Sequence, residues 1–327
     1  MSFLSMPLVI KVAHHIGAID VPLDDRRVHK EPIPRLGGLG IFISVMFCLF
    51  VFIDYPLNKM MGIMVGALFI VLTGIVDDIK PISAKYKLLI QIVVAFILVF
   101  ADVRIISVSS VFNLSQTIPM DEFLSVVVTV LWVVGITNTL NLIDGLDGLS
   151  GGIATISAFT LAYVAFANGR IEVAVMTLIV AGACMGFLPY NFNPARIFIG
   201  DTGALFLGFI LAVISIEGTL KISTAFTFFA PVLALGIPIF DTFYAIIRRM
   251  AAGKHPFEAD RGHLHHRVLD LGFGQKRTVL FLYLVNSLLG LSGVLLLQKQ
   301  YPQMALAIAI AVLLIIIPIR RSIKNKI

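Results

Sequence analysis

Residues 60–80 read MMGIMVGALFIVLTGIVDDIK. From Met60 to Thr73 the run holds no charged side chain, and only Gly74, Ile75 and Val76 separate it from Asp77 and Asp78. An α-helix needs roughly 20 consecutive apolar residues to cross the hydrocarbon core of a bilayer. Isolated charges inside lipid are expensive. The run therefore reads as a spanning helix. The two adjacent carboxylates at its end either mark the boundary of the span or belong to a site at the membrane surface.

The rest of the 327-residue chain supports a membrane solvent. Hydrophobic residues make up 58% and charged residues 13%, against roughly 45–50% and about 25% in soluble domains. Mean hydropathy is +0.98. The formal net charge is +6. In a membrane protein that excess belongs first to the loops facing the cytoplasm. No soluble segment carries a basic patch with interleaved aromatics, so no nucleic acid is expected as a partner. Cys48 and Cys184 both lie in apolar runs and read as small hydrophobes without disulfide or redox duty.

Apolar runs at about 36–53, 60–76, 86–101, 122–138, 149–167, 171–189, 202–217, 224–247, 277–297 and 303–319 read as spans. A shorter run at about 2–18 contains Lys11. The expected fold is all-α and polytopic, with about eleven transmembrane helices, or ten without the short first one. Residues 1–327 form one transmembrane domain, and the largest polar loop lies at about 248–276. Nineteen of the 25 lysines and arginines fall in one alternate set of loops. That asymmetry puts this set, and the C-terminus, in the cytoplasm.

Four polar islands interrupt the apolar pattern: Asp77-Asp78 with Lys80 and Lys87; NTLNLIDGLDGL at 138–149; NFNPARIFIGDTG at 191–203; and DRGHLHHR at 260–267. The expected topology places all four at the same membrane face, and the outer loops hold no comparable motif. Oxygen ligands from Asp and Asn suit Mg²⁺, which keeps waters and favours substrate phosphates. His, Arg and Lys supply charge-assisted hydrogen bonds to phosphate oxygens. Glycines beside the aspartates let the backbone approach a ligand closely. This mixture is equipment for phosphoryl transfer between a soluble donor and a lipid acceptor.

Each island also has a plainer reading. Asp77-Asp78 can mark a helix end, and Asp201 can cap the helix that follows it. The histidine run can be a solvated loop or an adventitious metal site. Asp241, in PIFDTFYAIIRR, reads as a buried packing residue. Asn138, Asn141 and Asp144 recur every three residues and share one helix face, which in so apolar a chain points to a site. The common face of all four islands is the argument for function, because independent structural causes would not choose it together.

At these residues the chain resembles the polyprenyl-phosphate N-acetylhexosamine-1-phosphate transferases. The resemblance runs from about Ile10 to Phe273 through GAIDVP, DRRVHKEPIPRLGGLGI, VDDIK, NTLNLIDGLDGL, FIGDTGAL, PIFDT and DRGHLHHR. It implies an eleven-helix fold in a bacterial inner membrane with its site at the cytoplasmic face. It also implies transfer of a sugar 1-phosphate from a UDP-sugar to undecaprenyl phosphate, release of UMP, and a requirement for Mg²⁺ or Mn²⁺. A homodimer is compatible with it. By motif, Asp201 and Asn141 are the implied metal ligands, and Asp77, Asp78 and Lys87 the catalytic group around the phosphates. Lys30, Asn138, Asp144 and Asp147 are the implied nucleotide contacts. Arg261, His263, His265 and His266 are implied to hold the diphosphate and sugar. The HLHH spacing after PFEADRG resembles the enzymes that use UDP-GlcNAc more than their phospho-MurNAc-pentapeptide transferase cousin. The chain departs from the family pattern in its short first span. A cation-coupled transporter is the competing class; such proteins place their charges near the bilayer midplane between inverted repeats, and no repeat is evident here.

Overall fold

The computed structural model describes residues 1–22, 31–109, 117–220, 226–253, 255 and 262–324. The helices along these residues are α1 (Ser2–Ile16), α2 (Gly37–Phe52), α3 (Leu57–Ile79), α4 (Ala84–Phe100), α5 (Glu122–Ile143), α6 (Leu149–Ala167) and α7 (Ile171–Asn191). They continue with α8 (Gly200–Ser215), α9 (Phe226–Ala234), α10 (Gly236–Ala251), α11 (Leu264–Leu269), α12 (Gln275–Leu297) and α13 (Tyr301–Lys324). Two short antiparallel ladders join β1 (Ile19–Asp20) to β2 (Ile33–Pro34) and β3 (Ser107–Ser109) to β4 (Thr117–Pro119). The chain is a polytopic all-α membrane protein, as its hydropathy predicts.

Among the described residues, seven helices, including α3, α5, α6, α7 and α12, are long and apolar enough to cross a bilayer. The helices α1 and α2 are shorter, with 15 and 16 residues, and α4 has 17. The helix α1 covers the short apolar run read at about 2–18. The run at 224–247 does not form one span: it is divided into α9 and α10 around Leu235. Pro238 lacks the N–H that would bond the Ala234 carbonyl one turn earlier. That carbonyl instead accepts the Ser157 hydroxyl at 2.6 Å and the Asn286 amide at 3.4 Å. The Ile237 N–H donates to Asn286 Oδ1 at 3.3 Å. Where no water is available, a broken helix persists only if side chains from neighbouring helices satisfy the freed groups.

The helix α8 is the axis of the bundle, with 94% of its span buried inside the protein. Small residues let its neighbours approach to backbone contact. Gly38 of α2 lies against Gly203, Gly74 of α3 against Thr202, and Gly208 of α8 against Thr137 of α5. A Cβ at any of these glycines would collide with the opposing backbone. The N-terminus of α8 and the C-termini of α3, α5 and α7 therefore meet at one end of the bundle, and that end carries the motifs.

The opposite end is less bare than the sequence led one to expect. Glu217 lies one residue past the start of a π-helical turn, Ile216–Leu220, that continues α8. It is buried and accepts hydrogen bonds from Tyr55 and, at 3.1 Å, from Lys59. Lys59 also faces Asp102 at 3.8 Å, and Arg104 lies 3.6 Å from both Asp102 and Glu122. These residues sit in separate segments and form no linear motif.

Candidate active site

The centre of the site is built where α3 ends. Successive helix residues differ in direction by about 100°, so Asp77 and Asp78 face different neighbours. Asp77 faces α4: its Oδ2 lies 2.8 Å from the Lys87 ammonium, and its Oδ1 accepts the Ile82 N–H at 2.9 Å. Lys87 also donates to Asp201 Oδ2 at 2.6 Å. One ammonium thus joins carboxylates from α3 and α8. Asp78 faces α8. Its Oδ1 accepts the Asp201 N–H at 2.9 Å, and its Oδ2 accepts the Thr202 N–H at 3.0 Å and the Thr202 hydroxyl at 2.7 Å.

The plainer reading of Asp201 as a helix cap does not hold. Asp201 sits inside the first turn of α8, and the N-cap residue, Ile199, makes no side-chain cap bond. The acceptor for the first turn comes from Asp78, on another helix. Close approach here depends on Gly200, whose φ is +69° and whose missing Cβ would strike the Arg35 carbonyl and the Asp78 carboxylate. The strand segment before α2 holds the loop in place: Phe198 N–H donates to the Pro34 carbonyl, and the Gly37 and Gly38 N–H groups donate to the Phe198 and Ile199 carbonyls.

The second wall comes from the end of α5. Asn141 and Asp144 line the cavity, together with Asp147, Asp201 and His266. The cavity measures about 830 Å³. Asp144 Oδ1 accepts the Ser150 hydroxyl at 2.6 Å. Burial pushes the Asp144 carboxyl up to about 7, against the opposing effect of that hydrogen bond. Asp147 Oδ2 accepts from the Asn193 amide at 2.8 Å and the Ala195 N–H at 3.1 Å. Asn193 spends its other donor on Gln275 Oε1, also at 2.8 Å. Asn191 ties two loops together, accepting the Gly148 N–H at 2.9 Å and donating to the Ile197 carbonyl at 3.0 Å. Asn138, expected at the nucleotide, is not among the lining residues. Its amide donates to Gln91 of α4 and to the Val134 carbonyl, so it links α5 to α4.

The third wall is the histidine segment, anchored from α10. Asp241 is buried, with its Oδ2 2.9 Å from His263 Nδ1 and its Oδ1 accepting the Leu264 N–H at 2.7 Å. Arg248 and Arg267 lie on the Tyr244 ring at 5.3 Å each, and both donate to the Gly262 carbonyl. The packing reading of Asp241 is thereby refined: this carboxylate fastens the loop to its helix. His265 is buried against Gly145, in the space a Cβ would occupy. Burial, and secondarily His266, pushes the His265 imidazole down to about 3, so it is neutral. Of the three histidines, His266 lines the cavity. Lys30 and Arg261 lie outside the described residues.

Residues 60–219 match the family described as Glycosyl transferase family 4. A Bacillus subtilis (strain 168) protein named "Probable undecaprenyl-phosphate N-acetylglucosaminyl 1-phosphate transferase" is 40% identical over 291 residues, which is 89% of this chain and 80% of that one. The chain belongs to glycosyl transferase family 4. Two further relatives of this family-4 chain extend the comparison. A decaprenyl-phosphate N-acetylglucosaminephosphotransferase from Mycolicibacterium smegmatis is 32% identical over 343 residues, covering 95% of this chain and 84% of the relative. An undecaprenyl-phosphate alpha-N-acetylglucosaminyl 1-phosphate transferase from Salmonella typhi is 28% identical over 294 residues, covering 88% and 78%.

The donor set of this family-4 chain fits a hard cation that shares its shell with a substrate. No group of three or more His, Cys, Asp or Glu among the described residues could hold a metal alone. Asp201 and Asn141, both with side-chain oxygens, do line one cavity. Mg²⁺ is commonly held by one or two carboxylates plus substrate phosphates and water. The ammonium of Lys87 at Asp201 shows that this corner attracts positive charge. Arg35, Asn193 and Gln275 also line the cavity and had no assigned role from sequence. Arg35 and Asn193 lie within motifs. Gln275, at the start of α12, had no sequence signal at all.

Proposed function

We propose that this family-4 chain transfers GlcNAc-1-phosphate from UDP-GlcNAc to undecaprenyl phosphate. An oxygen of the lipid phosphate bonds to the sugar-bearing phosphorus of the donor. The bridging P–O bond breaks, and UMP leaves with that oxygen and its charge. The names of the bacterial relatives support the donor and acceptor classes, and the HLHH spacing supports UDP-GlcNAc among hexosamine nucleotides.

The observation that carries the proposal is the single ammonium joining Asp77 to Asp201 beside a cavity large enough for a nucleotide sugar. Phosphoryl transfer depends mainly on positioning and charge neutralisation. In this reading Lys87 draws the acceptor phosphate, and Asp77 fixes Lys87 and the approach of that phosphate. Asp201 and Asn141 would hold Mg²⁺. When bound, the metal neutralises the diphosphate oxygens and the charge developing on the leaving group. Asp147 has one carboxylate oxygen free of the Asn193 and Ala195 bonds and offers it to the nucleotide. His266 faces the diphosphate and sugar, with Arg261 and Lys30 assigned by motif. Asp241 and His263 support that segment from behind. The basic-loop asymmetry supports a cytoplasmic position for this face in a bacterial cell.

The test is incorporation of radiolabelled UDP-GlcNAc into organic-extractable lipid by membranes containing the protein. Label should appear with Mg²⁺ and undecaprenyl phosphate and vanish with chelator. Asp201→Asn should abolish it while the protein still inserts. Wild-type turnover in that variant would remove the assignment of Asp201. UDP-GalNAc and the MurNAc-pentapeptide nucleotide, run beside UDP-GlcNAc, test the donor.

A further inference from the structure

We propose that Asp78 and Thr202 form a clamp that sets the first turn of α8, so that Asp78 is a positioning residue for Asp201 and touches neither metal nor substrate. The inference rests on the reading of Asp201 as the metal-binding carboxylate.

Three observations carry it. First, the Asp78 side chain has 0% exposure, whereas Asp201 retains 17%. Asp78 is not among the residues that line the cavity. Second, its two oxygens are committed. They accept both N–H groups at Asp201 and Thr202 and the Thr202 hydroxyl, and Arg35 lies 3.6 Å from Oδ1. The first N–H groups of a helix have no partner within it, and a carboxylate is favoured beside them. The N-cap residue Ile199 supplies no side-chain cap, so removal of Asp78 would leave the donors it accepts from unpaired. Third, the fit is close on all sides. Gly74 of α3 lies against the Thr202 backbone, and Gly200 leaves room for Asp78 itself.

The consequence is geometric. The peptide N–H of Asp201 is pinned to α3, and the Asp201 carboxylate is pinned to Lys87. Asp201 is thereby held at both its backbone and its side chain. Small displacements of a reacting group are costly in rate. Thr202 is fully buried, so its hydroxyl does not reach the substrate and acts on the reaction through its bond to Asp78.

The experiment compares full-length wild type, Thr202→Val, Thr202→Ala, Thr202→Ser, Asp78→Asn, the Thr202→Val/Asp78→Asn double variant and Asp201→Asn in detergent micelles. The readouts are Mn²⁺ dissociation by electron paramagnetic resonance, steady-state transfer, and thermal unfolding. Thr202→Val and Thr202→Ala should each weaken Mn²⁺ about tenfold, the scale of one hydrogen bond to a charged group. They should lower kcat with little change in KM for UDP-GlcNAc, and Thr202→Ser should restore both. The double variant should be no worse than Asp78→Asn, because both act on one element. If Thr202→Val unfolds, Thr202→Ala, which removes the same hydroxyl, decides. The proposal falls if the folded Thr202 variants keep wild-type Mn²⁺ affinity and turnover while Asp78→Asn loses them. Unchanged Mn²⁺ affinity in Asp201→Asn would instead overturn the metal assignment beneath it.

Discussion

Lys87→Met separates two consequences of the central ion pair that are easily confused. The ammonium lies 2.8 Å from Asp77 Oδ2 and 2.6 Å from Asp201 Oδ2. At such distances each attraction amounts to ~6 kcal/mol with an effective dielectric constant of about 20. Desolvation of the three partly buried groups offsets most of that. The net scale is that of a hydrogen bond between charged groups, ~1.5–3 kcal/mol. In the free enzyme this energy opposes any cation that competes for Asp201. Methionine keeps the length and apolar stem of lysine and removes the charge. Without donor present, Mn²⁺ should therefore bind the variant about ten- to a hundredfold more tightly. Transfer should fall in the same variant, because the positive charge that receives the acceptor phosphate is gone.

The assay is a Mn²⁺ titration of purified protein by electron paramagnetic resonance, beside transfer of radiolabelled GlcNAc-1-phosphate. Opposite signs in binding and turnover are the expected result. Mn²⁺ affinity that is unchanged or weaker would mean that Asp201 is not where the cation binds, or that Lys87 is not its competitor.

Two other perturbations test the walls of the site. His265 has its imidazole pushed down to about 3 from the usual 6.5 by burial. A depressed histidine contributes stability above its unfolded pKa that is lost as pH falls through the folded one. Between pH 6.5 and 5 the native state should lose about 2 kcal/mol from this group, and unfolding measurements on His265→Gln should show a flatter dependence. A slope equal to wild type would place the titration elsewhere. Asp241→Ala removes the acceptor for both His263 and the Leu264 N–H, each worth ~1–3 kcal/mol when buried. It should sharply raise protease cleavage near residues 262–270 and weaken donor binding with little effect on global unfolding; unchanged cleavage would show that α10 does not hold the loop.

Much of the bundle was legible because lipid is a demanding solvent. Apolar length located the spans, and the few polar residues that survived in it marked the site. Asn141, Asp144, Asp147, Asp201 and His266, drawn from three islands, do line one cavity. What the sequence hid is tertiary satisfaction of polar groups. The break between α9 and α10 lies in a run long enough to read as one span, with Gly236 and Pro238 as its local signal, and the groups that make it tolerable, Ser157 and Asn286, come from α6 and α12. Asn138 shares a helix face with Asn141, yet the reach of Gln91 from α4 diverts it. Gln275 is one glutamine in an ordinary helix start, and only its distance to Asn193 gives it meaning. The cluster around Glu217 draws on Tyr55, Lys59 and Asp102 from distant segments, so no local pattern announces it.

Asp77 and Asp78 show why a pair of identical side chains cannot be assigned one duty. Their backbones are adjacent and both end the same helix. The turn of that helix aims one carboxylate at Lys87 and the other at the backbone of α8. The first keeps contact with the cation that also touches Asp201. The second is sealed from solvent and neutralises a helix terminus that would otherwise expose unpaired donors. Since α3 and α8 pack through Gly74 against Thr202, neither duty could move to the other residue without shifting one helix against the other. Substitutions at the two positions should therefore fail for different reasons: Asp77 through the charge balance at the phosphates, Asp78 through the placement of a carboxylate on another helix.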